Sequence, residues 1–149
     1  MGRPTLFGSD AAARRRIELA AMKAVMDIEA SLGFAPTDVS AQNKGYDIES
    51  KVPVELRDAD GATLRFIEVK GRAKGATSVT VTKNEILSAL NQAEQFILAL
   101  VEVDGDHAYA TYLKKPPFRV PGFAETSVNF DIFDLASASE VLLKQKKTL

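Results

Sequence analysis

Gly45-Tyr46-Asp47-Ile48 and Phe66-Ile67-Glu68-Val69-Lys70-Gly71-Arg72 are the stretches on which the reading of this chain turns. An aspartate interrupts one apolar stretch; in the next, a glutamate and a lysine flank a single valine. Successive side chains of a strand point to opposite sides, so Glu68 and Lys70 share a face. An acid and a base held side by side, with a second acid about one hairpin earlier, make a poor core. They make a good site for a divalent metal and a polarised water. Aspartate is disfavoured within strands, so the place of Asp47 between Tyr46 and Ile48 points to function.

Outward from this centre the chain alternates helix and strand signals. Residues 1–10 read as a flexible lead-in, with Ser9 or Asp10 as cap of the following helix. From Ala11 to Leu32, Ile17, Ala20, Ala21, Ala24, Val25 and Ile28 form one apolar stripe, and Gly33 ends the helix. Ala35 to Ser40 is a short extended piece. Tyr46 to Leu56 reads as a strand interrupted by Pro53. Asp58-Ala59-Asp60-Gly61 is a hairpin signal, Thr63 to Lys70 a strand, Gly71 to Gly75 a loop, and Ser78 to Thr82 a short strand. Thr82 with Glu85 forms a capping box for a second helix. Gln95 to Val103 reads as a buried central strand, and Ala108 to Leu113 as its return. Phe130 to Phe133 is a short strand, Ala136 to Lys144 a terminal helix, and the last lysines fray. The order implies an α/β fold with a mixed sheet, and residues 11–149 form a single domain.

The 149 residues suffice for one core. With no cysteine and one histidine, disulfides, thiolate zinc sites and cysteine nucleophiles are absent. No apolar run approaches a membrane span and no signal peptide opens the chain, so the expected setting is cytoplasmic, with no membrane partner. The net charge of -1 counts against a stand-alone domain that grips nucleic acid mainly by charge. Basic residues cluster at Arg14 to Arg16, at Lys70, Arg72 and Lys74, at Lys114 and Lys115, and at Lys144, Lys146 and Lys147. Each cluster taken alone reads as solvated surface. His107 follows a turn and is expected to be exposed. There is no Walker-type phosphate loop, and so no ATP site.

Phosphodiester hydrolysis needs an attacking hydroxide and neutralisation of charge on the phosphate. Mg2+ or Mn2+ held by oxygen ligands supplies both. Asp47 and Glu68 are the carboxylate ligand candidates, and the carbonyl of Val69 is the third. Lys70 would orient the water or offset phosphate charge. Asn43, Lys44 and Tyr46 before Asp47, and Arg72 and Lys74 after Lys70, are candidates for nucleic-acid contact. A turn and a mobile loop explain them equally well.

These motifs, followed by Thr82-Lys83-Asn84-Glu85, resemble the PD-(D/E)xK nuclease superfamily. More narrowly they look like the DUF3883 domain, also described as the NO VEIN C-terminal domain, from about Arg14 to Leu113. The resemblance implies a restriction-endonuclease-like mixed sheet flanked by helices, with an α-β-β-β-α-β core. It implies a metal-dependent endonuclease acting on DNA, with Asp47, Glu68 and Lys70 in the roles given above. It also implies a supporting glutamate on the first helix, for which Glu18 is the choice and Glu29 the competitor. Glu85 matches a position that such domains often carry, although the capping box explains it without function. The resemblance implies a module of a helicase-associated, restriction or phage-defence system, with a helicase or ATPase as partner. RNA as substrate and a homodimer are left open, and the chain reads as an excised or terminal piece of a larger protein. Two rival readings stand beside this one: a nuclease-like fold that binds nucleic acid or a partner without cutting, and an interaction domain whose strand charges are only surface.

Overall fold

The computed structural model describes residues 6–57 and 63–149. Helix α1 (Leu6–Ser31) is followed by strands β1 (Ala35–Asp38), β2 (Ile48–Lys51), β3 (Leu64–Ala73) and β4 (Ser78–Thr82). Helix α2 (Lys83–Asn91) leads to β5 (Phe96–Asp104), β6 (His107–Lys114) and β7 (Ser127–Asp131), and α3 (Ile132–Ser137) precedes β8 (Glu140–Thr148). Six strands make a mixed sheet in the order β1-β2-β3-β5-β6-β8, and β4 pairs with β7 in a small second sheet. The expected α-β-β-β-α-β order is present as α1, β1, β2, β3, α2 and β5, with β4 inserted before α2. Among the described residues no helix is long and apolar enough to cross a membrane.

The sheet has a core on each face. On one, Ala21, Ala24, Val25 and Ile28 of α1 pack on Ile48, Ile67, Val69, Ile97, Ala99 and Val101. On the other, Ile86 and Ala89 of α2 and Val79 and Val81 of β4 pack on Phe96, Leu98, Leu100 and Leu113. β5 is buried from Phe96 to Val101 because it carries both layers, which explains its unbroken apolar run. β3 runs parallel to β5 from Phe66 opposite Phe96 to Ala73 opposite Val103.

Several expectations need correction. α1 begins at Leu6, so Ser9 and Asp10 lie within the helix rather than capping it, and the lead-in is shorter than ten residues. Strand β2 ends at Lys51, and Val54–Leu56 is a single 3-10 turn after Pro53. The expected loop from Gly71 begins later, because the ladder to β5 holds β3 through Ala73. The terminal helix over Ala136 to Lys144 is not formed. Asp131 caps α3 instead, its Oδ1 accepting from the Asp134 amide at 2.9 Å. The lysine-rich end does not fray: it is edge strand β8, paired with β6 through Thr148. The ladder offered by the free edge of β6 outweighs the helix signal, and the lysines along the new edge discourage further pairing. The hairpin signal at Asp58-Ala59-Asp60-Gly61 lies outside the described residues.

The far half of α1 is anchored by charge. Glu29 is fully buried, and its two oxygens accept from Arg65 Nε at 2.9 Å and Nη2 at 3.1 Å. The Tyr112 hydroxyl donates to it at 3.0 Å. The Arg65 guanidinium lies 4.8 Å from the centre of the Phe34 ring. Glu29, the competitor of Glu18 for a supporting role at the site, is thus a core group with a bidentate partner. Truncation would leave Arg65 uncompensated and largely buried. Glu29→Ala should therefore lower the unfolding free energy by about 3 kcal/mol or more. The exposed Glu18→Ala should change it by less than about 0.5 kcal/mol, both read from urea melts.

Candidate metal and phosphodiester site

The site forms where β2 leaves β3. Their ladder stops at Ile48 opposite Ile67, while β3 continues for six more residues. Asp47 is fixed at this corner from two sides. Its amide donates to the Ile67 carbonyl at 2.9 Å, and its carbonyl accepts from the Val39 amide at 2.8 Å. The Asp47 side chain then takes over from the missing strand: its Oδ2 accepts from the Val69 amide at 2.9 Å. The amide and carbonyl of one strand residue point the same way, so the Val69 carbonyl also faces this open edge beside Asp47.

Glu68 and Lys70 project to the other side of β3 from Val69, as alternation requires. Glu68 is almost fully buried. Lys70 Nζ lies 3.3 Å from Glu68 Oε2 and 2.8 Å from Glu85 Oε1. Glu85 holds its capping box as well: the same Oε1 accepts from the Thr82 amide at 2.9 Å, and the Glu85 amide donates to Thr82 Oγ1 at 3.2 Å. The cap was read correctly, but its oxygen also fixes the lysine.

Three carboxyl groups share one ammonium, and their proton affinities respond. Burial, then the charges of Asp47 and Glu85, push Glu68 well above the usual carboxylate range, against the opposing pull of Lys70. Burial also raises Asp47, partly offset by the Val69 amide. Burial alone would lower Lys70, but Glu68 and Glu85 outweigh it and raise its proton affinity. Burial alone would raise Glu85, but Lys70 outweighs it and the net shift is downward. Lys70 is therefore a stable ammonium, and Glu68 is the group whose charge the fold tolerates least.

A cavity of about 430 Å³ opens over this corner. Asp47, Glu68, Val69 and Lys70 line it together with Arg15, Glu18, Asp38 and Arg72. Gly71 lets α1 pass close enough to roof it: a Cβ there would stand 2.7 Å from that of Ala21 and 3.0 Å from the Ile17 carbonyl. Gly45, at φ +86°, turns the chain into Asp47 where a Cβ would meet Ser88 at 2.7 Å.

Of the two helix glutamates, Glu18 borders the cavity and pairs loosely with Arg15 at 3.8 Å. Glu29 belongs to the buried cluster with Arg65. Arg72 lines the cavity, whereas Lys74 is exposed and faces Asp104 at 3.4 Å. Asn43 and Lys44 sit in a shallower neighbouring depression with Glu85. Lys44 pairs with Glu49 at 3.1 Å. The Tyr46 ring is buried against Phe66, 4.7 Å between centroids, and its hydroxyl donates to Glu49 at 3.2 Å. His107 opens β6, half-buried rather than exposed, with Nδ1 buried and unpartnered among the described residues. Arg15, Asp38 and Ser40 were not anticipated. Asp38 reaches the site because β1 sets it opposite Ile48, and no local sequence signal carries that register. Its Oδ1 is occupied by the Ser40 amide at 2.9 Å and the Ser40 hydroxyl at 2.7 Å.

The chain belongs to the family described as Protein NO VEIN, C-terminal, which matches residues 17–113. The matched span covers α1 from Ile17 to β6, and so holds both carboxylates, Lys70 and Glu85. No curated protein and no solved structure matches the chain.

A hard divalent cation fits this corner. Among the described residues no three His, Cys, Asp or Glu side chains form a ready cage. Magnesium, however, keeps several waters and often takes only one or two carboxylates. Asp47, Glu68 and the free-edge Val69 carbonyl match that demand, and the local excess of negative charge calls for a cation. The burial of Glu68 gives a test. A carboxyl raised by folding binds more protons in the native state, so its contribution is favourable below the unfolded value and is lost as pH rises through the folded value. Glu68→Gln should therefore melt higher than the wild type at pH 7 in a chelator, and the gain should shrink toward pH 4 in thermal melts.

Proposed function

We propose that this domain is a metal-dependent nuclease of the PD-(D/E)xK type that hydrolyses DNA phosphodiester bonds. The observation that carries the reading is the convergence of Asp47, Glu68, the Val69 carbonyl and Lys70 on one cavity at the open edge of β3. Asp47 and Glu68, with the Val69 carbonyl, would hold Mg2+ or Mn2+. The ion, when bound, would lower the proton affinity of a water and offset phosphate charge.

The chain's own residues take the remaining tasks. Lys70 stays protonated between Glu68 and Glu85, so it serves as a donor to the scissile phosphate or the attacking water rather than as a base. Glu85 positions Lys70 through the cap of α2, which ties the lysine to a rigid helix end. Arg15 and Arg72, which both line the cavity, suit the flanking phosphates. Glu18, which lines the cavity from α1, would hold water beside the cation. α1 and β4 wall the cavity, which strengthens each charge interaction within it.

A module of a helicase-associated, restriction or phage-defence system is the setting this reading favours, because a chain of net charge -1 needs another part to supply affinity for DNA. The second reading, a nuclease-like fold that binds without cutting, draws on that same charge. The deciding experiment is cleavage of labelled linear, circular and single-stranded DNA with Mn2+ or Mg2+. Asp47→Ala, Glu68→Ala and Lys70→Ala should each lose roughly 100-fold or more in rate. Mn2+ should raise the melting temperature of the wild type and not of Asp47→Ala. No cleavage and no metal shift in the wild type would sink the catalytic reading and leave the binding module.

A further inference from the structure

Beyond the cavity at Asp47, the same face of the sheet continues past α3 toward its β8 edge, where Tyr109, Lys144 and Lys146 are exposed. Register lays out two rows across it. Lys70 aligns with Leu100, Thr111 and Lys144, and Arg72 with Glu102, Tyr109 and Lys146. In β8, Lys144 and Lys146 are exposed while Leu143, Gln145 and Lys147 turn half-buried toward the α1 side. Among the described residues no ion pair engages Arg72, Lys144 or Lys146. Glu102 is the acid within these rows, so the face keeps a positive excess even with Lys70 neutralised by its own carboxylates. The Tyr109 ring is 40% exposed, with Lys146 Nζ 5.7 Å from its centre.

A second cavity, of about 240 Å³, lies between these rows and α3. Lys70 and Arg72 line both cavities, so the two adjoin. Leu100 on the sheet and Ile132 and Ala136 on α3 give it apolar surfaces, and Arg72, Glu102, Thr111 and Tyr109 polar or aromatic ones. Its volume is below the roughly 300–1,000 Å³ of drug-sized ligand pockets, which suits one planar group with apolar faces and polar edges.

We propose that this face is a track for single-stranded nucleic acid. The strand leads from the cavity at Asp47 and Glu68 past Arg72, lodges one unstacked base against Tyr109, and sets its phosphates on Lys144 and Lys146. This rests on the reading of the Asp47 cavity as a phosphodiester site. A polyanion matches the charge of the face. A base can enter the cavity only out of the stack, which a single strand allows without the cost of opening a duplex.

Binding is measured without cleavage, in a chelator at low salt, by fluorescence anisotropy of a labelled oligonucleotide as single strand and as duplex. The single strand should bind tighter. Lys144→Glu/Lys146→Glu should weaken it roughly tenfold and flatten the salt dependence by about 1.4 in log–log slope. Lys51→Glu/Lys115→Glu, with the same charge change away from the face, should leave it within twofold. Tyr109→Ala should weaken it at least fivefold, at the low end of about 1–3 kcal/mol per stacked base. Lys144→Gln/Lys146→Gln, with unchanged melting temperature, guards against a folding defect. Equal loss in the two charge-reversal pairs, a preference for duplex, or no binding by the wild type would overturn the track. Intact binding on these residues, with no cleavage and no metal-induced rise in melting temperature, would overturn the nuclease reading and leave the track standing.

Discussion

Everything at the site depends on one strand edge left open. β3 is paired with β5 along almost its whole length, but β2 accompanies it only as far as Ile67. Beyond that point the Val69 amide and carbonyl have no strand partner on that side. Buried backbone groups must be satisfied. The Asp47 carboxylate satisfies the amide, while among the described residues no strand pairs with the carbonyl on that side. A gap in a hydrogen-bond ladder thereby gathers an acid, a carbonyl and, one residue to either side, Glu68 and Lys70.

The fold contains two charge clusters, each built around a buried glutamate, and they differ in balance. Glu29 has Arg65 on both of its oxygens and the Tyr112 hydroxyl in addition, so its charge is fully answered. Among the described residues Asp47, Glu68 and Glu85 have one basic side chain, Lys70, between them, and burial with the neighbouring carboxylates raises the proton affinity of Glu68. A balanced cluster anchors a helix. An unbalanced one is costly in the folded state, and a bound cation is what would relieve it. Burial alone does not separate Glu29 from Glu68; the number of opposing charges around each does.

Much of the site was legible because strand alternation is local. The spacing of Glu68 and Lys70 fixes their shared face, and Thr82 with Glu85 fixes the cap. The sequence could not say that the capping glutamate reaches Lys70, since that contact joins residues fifteen apart across a strand turn. The two helix glutamates, Glu18 and Glu29, look alike in the chain. Their fates follow from where α1 crosses the sheet, which Gly71 permits by admitting the helix backbone at close range. The C-terminal segment misled for a related reason: Ala136 to Lys144 has residues that suit a helix, but the free edge of β6 offered a ladder along its length.

The sequence by itself determined the α/β class, the two-sided burial of β5, the cap of α2, and which side of β3 each residue faces. These depend on periods of two and of three to four residues, which any short window contains. Only the tertiary structure decided that Asp47 stands in for a missing strand, that Glu18 borders the cavity while Glu29 anchors the core, and that Lys144 and Lys146 share a face with Arg72. Each of these depends on register between segments far apart in the chain. Register is set by the packing of both sheet faces at once, a property that no local stretch of sequence holds.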